Sequence, residues 1–271
     1  MRKALRNYPV LTLAGKEKKE KSDLIAEEVP LTIFINNEEF ITLLSTPADL
    51  RELAIGFCLS EGILKRREEL RSFKLNEEEG TCQVEIEDDL KREFFGKRAI
   101  TSGCGRGSIF YNPLDIFDYA LIKSEIKVKS RDILRLMRSL QSSSGLFKKT
   151  GGVHSCALAD EKELLVFKED IGRHNAVDKI FGECFLKEIP TEDKMILLSG
   201  RVSSEILIKV SKARTPIVAS RAAPTTLAVE MANKLGLTLA GFVRAEKMNI
   251  YTHPERIVLK SLDKQRDYIV K

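Results

Sequence analysis

From residue 153 to residue 243 the chain alternates short apolar, β-prone runs with amphipathic stretches, and this alternation limits its fold more than any other feature. Val153–Ala159 and Glu163–Phe167 have the composition of strands, and a helical repeat follows from about His174 to Leu186. Strand 195–198, helix 203–212, strand 216–219, helix 225–235 and strand 237–243 complete the series. Strands and helices in alternation, joined by short connections, predict an α/β arrangement with helices on a mostly parallel sheet.

The first half of the chain reads as a smaller α+β unit. Leu31–Phe34 and Phe40–Leu44 are β-prone runs separated by Asn36-Asn37, the signature of a hairpin. A helix opens after Pro47-Ala48-Asp49, with Leu50, Leu53, Ala54, Phe57 and Cys58 at helical spacing and Gly62 placed as a C-terminal cap. Strands follow at Ser72–Leu75 and from Thr81, and Ile133, Leu134 and Met137 mark an amphipathic helix over Ser130–Leu140. The expected organisation is a partly loose lead-in over 1–22, a small α+β domain over 23–115 and a larger domain over 116–271, α+β overall.

Composition sets the outer limits. No stretch approaches 18 uncharged apolar residues, so no membrane span is expected. The five cysteines are odd in number and lack a C-x-x-C pair, and no export signal is apparent, which predicts free thiols in the cytoplasm. The formal charge is +5, and Pro190–Lys271 hold 14 basic against 8 acidic residues. Without arginine-rich runs or aromatic platforms, this surplus predicts a small anionic ligand rather than nucleic acid.

Four of the cysteines, Cys58, Cys82, Cys156 and Cys184, fall in phase with apolar neighbours and read as core. Cys104 does not. It sits in Ser102-Gly103-Cys104-Gly105-Arg106-Gly107-Ser108, with no apolar face to join. Glycines give such a loop freedom, and the nearby Arg106 favours the thiolate, the form that attacks sulfur. A tight turn with an incidental cysteine is the competing reading.

Four presumed strands of the second half end in a polar turn that carries an arginine: Arg173, Arg201, Arg221 and Arg244. If the strands are parallel, all four lie along one edge, together with helix N-termini whose free N–H groups attract anions. Guanidinium groups and helix N-termini together favour phosphate. Ser203 is placed as an N-cap, and Pro224 suits a first helical turn. His174 either contacts a ligand, with Asp178 one turn away to orient it, or merely packs the helix start. His154, after Thr150-Gly151-Gly152-Val153, is placed to line the same cavity, and His253 reads as peripheral. No metal site is expected: His253-Pro254-Glu255 matches a deaminase H-x-E by letter, but the required P-C-x-x-C is missing.

The segments TGGVHSCAL, EDIGRHNAVDKIFG, LLSGRVSSEILIKV, ASRAAPTTLAVEMANKLGLTLAGF and YTHPERI resemble the FdhD family, the formate dehydrogenase accessory sulfur carrier proteins. The upstream VPLTIFINNEEFITLLSTPADLRELAIGFCLSEGIL resembles that family's N-terminal part, so the likeness covers roughly residues 24–258. The resemblance implies a cytoplasmic homodimer with a cytidine-deaminase-like C-terminal domain. It implies transfer of persulfide sulfur from a cysteine desulfurase to the molybdenum cofactor, in its bis(molybdopterin guanine dinucleotide) form, for formate dehydrogenase. It also implies guanine nucleotide binding, with a GDP-like molecule as a partial mimic of the cofactor. The family's persulfide cysteine falls on Cys104, and its cofactor-binding segment on Phe242, Val243, Arg244, Ala245, Glu246 and Lys247. Many relatives have a second loop cysteine where this chain has Gly107, which removes an internal disulfide mechanism but not a single persulfide. The alternative is a non-catalytic chaperone that binds the cofactor and delivers it to the dehydrogenase.

Overall fold

The computed structural model describes residues 3–87 and 121–259. Cys104 lies outside these residues.

The chain opens with β1 (Leu5–Ala14) and β2 (Glu17–Ala26), an antiparallel hairpin turned at Gly15, where φ is +61°. This corrects the loose lead-in expected over 1–22. A second hairpin pairs β3 (Val29–Ile35) with β4 (Glu38–Ser45) through Asn36 and Asn37, both at positive φ, as the Asn-Asn signal requires. Helix α1 (Leu50–Glu61) follows and ends at Gly62, where φ is +80°. Strands β5 (Leu70–Asn76) and β6 (Thr81–Ile86) complete a sheet of order β4-β3-β6-β5. Leu31, Ile33, Cys82 and Val84 from its buried face pack with Leu53 and Phe57 of α1.

The second half begins with β7 (Val128–Lys129), α2 (Ser130–Ser143) and α3 (Gly145–Thr150). Then come β8 (His154–Ala159), β9 (Leu164–Asp170), α4 (Arg173–Lys187), β10 (Met195–Leu198), α5 (Ser204–Lys212) and β11 (Ile217–Ser220). Helix α6 (Thr226–Leu235), β12 (Thr238–Arg244), β13 (Lys247–Thr252) and β14 (Ile257–Val258) close the described chain, with β14 pairing β7. The main sheet has the order β13-β12-β11-β10-β8-β9. Alternate residues of its strands face opposite layers. Ile196, Leu198 and Val218 pack with Val177, Leu207 and Met231 of α4, α5 and α6, whereas Met195, Leu197 and Ile217 pack with Ile133 and Met137 of α2. No helix among the described residues is long and apolar enough to cross a membrane.

By pairing, the sheet is mixed rather than mostly parallel: only β10–β11 and β11–β12 are parallel. The reason is the short turn after β8, which returns β9 as a hairpin partner. Two successive reversals nevertheless point β9 the same way as β10, so β9, β10, β11 and β12 all end at one edge.

The two halves meet where α1 crosses α4. A Cβ on Gly56 would lie 1.7 Å from the Asp178 carbonyl oxygen, and one on Gly182 would lie 1.9 Å from that of Glu52. Here the helix backbones themselves are in contact. Buried ion pairs flank the crossing. Lys179 and Asp170 are both fully buried with Nζ and Oδ2 2.6 Å apart, and Thr46 from the first half binds both. Asp178 accepts from Lys209 at 2.8 Å and from the Ser60 hydroxyl. Lys168 bridges Asp49 and Glu183 at 2.6 and 2.5 Å. Of the clustered carboxylates Asp49, Glu52 and Glu183, two are thus already served by an ammonium group.

Gly182→Ala is expected to cost at least about 3 kcal/mol of unfolding free energy in urea titrations, because no side-chain shift can relieve a backbone clash. Gly145→Ala, with open space at the added Cβ, should stay within about 0.5 kcal/mol.

Candidate functional site

The shared edge of β9, β10, β11 and β12 is built from three strand-to-helix turns and one strand-to-strand turn. After β9, Asp170 shapes the turn: its Oδ1 accepts from the Gly172 N–H at 2.9 Å and from Asn175 Nδ2 at 2.9 Å. Helix α4 then begins on Arg173 and His174 themselves. After β10, Gly200 is buried and passes close to its neighbours: an added Cβ would stand 3.1 Å from His154 Nδ1 and 3.5 Å from the Arg173 Cβ. Glycine at 200 is therefore what lets His154, Arg173 and the β10 turn converge. Ser203 occupies the N-cap position of α5 but makes no side-chain cap bond. After β11, the cap of α6 is Thr225, whose hydroxyl accepts from the Ala228 N–H at 3.3 Å. Pro224 lies just outside that helix, bridged to Val202, rather than in its first turn as expected.

The turns are laced to one another. Ser220 Oγ donates to the Gly200 carbonyl at 2.6 Å and accepts from the Ala222 N–H at 3.0 Å. The Thr225 N–H reaches the Val202 carbonyl at 3.0 Å, and the Phe242 N–H reaches that of Ala222 at 3.2 Å. Strand β12 is irregular between Gly241 and Arg244, and both Phe242 and Ala245 have φ +52°. The irregularity sets the Arg244 guanidinium 5.5 Å from the centre of the Phe242 ring. Val243 points inward and is fully buried, so only its backbone faces the turn, whereas Ala245, Glu246 and Lys247 are exposed. Glu246 pairs with Arg138 of α2 at 3.1 Å.

The structure thus brings Arg173, Arg201, Arg221 and Arg244 to one edge, which also carries the N-termini of α4, α5 and α6. Arg201, Arg221 and Arg244 are exposed and Arg173 is half-buried. None of the four pairs with a carboxylate among the described residues. With its amide oxygen turned toward the guanidinium, Gln141 accepts from Arg221 Nη1 at 3.0 Å. Arg173 Nε is buried without an acceptor among the described residues. Four cations beside three helix N-termini form a strongly anion-attracting surface.

Two histidines stand in it. His174 Nε2 lies 3.0 Å from Glu205 Oε2 and 3.5 Å from Ser203 Oγ. Glu205, on the first turn of α5, is therefore the partner that sequence reasoning assigned to Asp178, which is instead held by Lys209. A carboxylate two residues past an N-cap is the signal that could have found it. Burial, and next the charge of Arg173 and the proximity of His174, hold His154 below the ordinary imidazole range. His253 lies elsewhere, with Nε2 2.9 Å from the Asn233 carbonyl.

The four described cysteines are core residues. Burial pushes Cys82 and Cys184 up to about 12, and Cys58 and Cys156 upward as well, so none is available as thiolate at neutral pH.

Residues 26–258 match the family model described as the FdhD/NarQ family. The chain is 45% identical over 239 residues to the sulfur carrier protein FdhD of Bacillus pumilus, covering 88% of this chain and 91% of that protein. It is 41% identical over 258 residues to the protein of the same name from Geobacillus kaustophilus, covering 94% and 98% respectively. A crystal structure of a candidate formate dehydrogenase accessory protein from Desulfotalea psychrophila superposes with a TM-score of 0.79 at 26% identity, over 94% of this chain and all of that one.

Removing the Arg173 charge should raise the His154 pKa toward, but not up to, the ordinary value of 6.5, since burial persists. NMR titration of the histidine ring protons in the Arg173→Met variant measures the shift. The sign for stability follows: His154 takes up a proton less readily folded than unfolded, so its contribution is full above about pH 6.5 and is lost as pH falls below it.

Proposed function

The chain belongs to the FdhD/NarQ family, and on that premise we propose that it is a sulfur carrier that serves formate dehydrogenase. The observation that carries this reading is the row of four arginines, free of carboxylate partners among the described residues, beside three helix N-termini. Such a row suits a ligand with several phosphates. The substrate proposed is the molybdenum cofactor in its bis(molybdopterin guanine dinucleotide) form, with a guanine nucleotide as partial mimic.

The residues present fit such a molecule. Arg173 keeps a buried Nε that lacks an acceptor among the described residues, and the glycine at 200 lets Arg173 and His154 pack together against the β10 turn. In this reading Arg173, Arg201, Arg221 and Arg244 hold the phosphates, with Lys247 adding charge. Phe242, Val243 and Ala245 supply the irregular backbone that presents Arg244. Glu246 exchanges Arg138 for the donor edge of guanine. Glu205 fixes the His174 ring, which then hydrogen-bonds a ligand oxygen. The Cys104 thiolate attacks the outer sulfur of a desulfurase persulfide, whose cysteine leaves as thiolate, so one sulfane sulfur moves onto Cys104; on its onward transfer Cys104 would leave as thiolate and the molybdenum substrate would supply the two electrons that reduce the sulfur to sulfide. The proposal places this exchange in the cytoplasm, on a homodimer.

Gly107, standing where many relatives have a second loop cysteine, favours a second reading: a chaperone that binds the cofactor without carrying sulfur.

Cys104→Ala separates the two. Under the sulfur-carrier reading, incubation with a desulfurase and cysteine adds about 32 Da to the native protein and nothing to the variant. Formate dehydrogenase matured with the variant is inactive, although the variant still binds guanosine diphosphate. Full dehydrogenase activity with Cys104→Ala overturns sulfur carriage and leaves the chaperone. Arg201→Ala and Arg244→Ala should each weaken guanosine diphosphate binding by about tenfold in calorimetry.

A further inference from the structure

A cavity of about 900 Å3 opens where α1, α4 and α5 end, at the opposite end of α4 from Arg173. Its floor is apolar, with Leu59, Leu64, Phe181, Phe185 and Ile189. Three cations on its wall, Lys65, Lys212 and Arg214, pair with no carboxylate among the described residues. The other cations there are matched: Arg67 meets Glu188 at 3.0 Å, Lys209 meets Asp178 at 2.8 Å, and Arg66 meets Glu69 at 3.2 Å.

Helix ends account for part of this charge. Three sets of C-terminal carbonyls converge here, and cations near them are favourable. Arg67 donates to the Phe185 and Leu186 carbonyls, and Lys212 to that of Ser60. This leaves the Lys212 ammonium with one hydrogen bond among the described residues for its three N–H donors. The carboxylate that acts most strongly on it, that of Glu61, is half-buried and is itself pushed toward its neutral form by desolvation. Burial draws Lys212 itself down to about 8, the mark of a cation short of compensation. A volume of this size, an apolar floor and a few convergent polar groups are the features of a small-molecule site.

We propose that this cavity is a second ligand site, one that binds a small organic anion on an apolar body, with Lys212 and Arg214 on the anionic group and Phe181 and Phe185 against the body. The site stands apart from the arginine row and does not depend on the sulfur-carrier reading. Binding completes the donors of Lys212 and holds its proton, so affinity declines as pH rises above about 8; the carboxylates that oppose an anion here are Glu61 and Asp178, which act on Lys212, and Glu68, Glu188 and Glu192 of the lining.

The test uses the full chain and anilinonaphthalene sulfonate, an apolar fluorescent anion, with octanoate and octanol as competitors. Saturable binding at one site is expected, with octanoate displacing the probe at a concentration at least about tenfold lower than octanol. Lys212→Met should weaken the probe about tenfold, while Lys212→Arg retains it. Arg214→Gln, at an exposed position, should weaken it too, and provides the reading if Lys212→Met does not fold. Equal displacement by octanol, unchanged binding in both charge-removing variants, or the absence of saturable binding each overturns the proposal.

Discussion

The contact between α1 and α4 is the constraint on which the rest of the molecule depends. Gly56 and Gly182 remove side chains where two backbones touch, and this brings the four-stranded and six-stranded sheets within reach of one another. Close approach excludes water, so the polar groups beside it must find partners inside the protein. They do: Lys179 with Asp170 and Thr46, Lys209 with Asp178 and Ser60, and Lys168 with Asp49 and Glu183. Ion pairs of this kind contribute little net stability against an apolar alternative, but loss of one member strands a buried charge. Their effect is to fix one relative placement of the halves. Asp170 shows the consequence for function, because the same carboxylate that binds Lys179 and Thr46 also shapes the turn that delivers Arg173 and His174.

The two ends of α4 have opposite characters for a common reason. At its N-terminus, free N–H groups and arginines reinforce each other, and the surface attracts anions. At its C-terminus, carbonyl groups converge and cations answer them. The first end concentrates uncompensated positive charge along a sheet edge. The second encloses cations above an apolar floor, where burial rather than number makes a charge unusual.

Much of this was legible in the sequence, and the exceptions have physical causes. The strand–helix alternation after residue 153 located β10, α5, β11, α6 and β12 within a residue or two, because buried strands and amphipathic helices differ in period. The hairpin at Asn36-Asn37 and the cap at Gly62 followed from backbone conformations that few other residues adopt readily. The β1–β2 hairpin was hidden because Glu17–Asp23 is almost wholly charged and offers no apolar alternation; its pairing is a backbone matter. The common direction on which the arginine row depended holds for β9 through β12, although the pairing is mixed: β8 lies between β9 and β10 and reverses the chain twice. His174 was placed at the site, yet its partner came from α5 and not from its own helix: the position of Glu205 two residues past an N-cap marks it as a candidate, but the pairing is a contact between turns. The Cys104 loop lies outside the described residues, and its reading rests on the sequence and the family.

The lacing of the strand-end turns has a further consequence. Hydrogen bonds from Ser220 to Gly200, Thr225 to Val202 and Phe242 to Ala222 lock the turns that carry Arg201, Arg221 and Arg244 at intervals set by the sheet itself. With strands about 4.8 Å apart, these three turns span on the order of 10 Å, and Arg173 packs back against Gly200 at the β10 end of the row. A fixed row of that extent acts as a ruler. In the proposed reading it rewards a molecule long enough to touch every division and gives a short one only the share of its nearest marks, so discrimination by reach follows from the spacing of the strands.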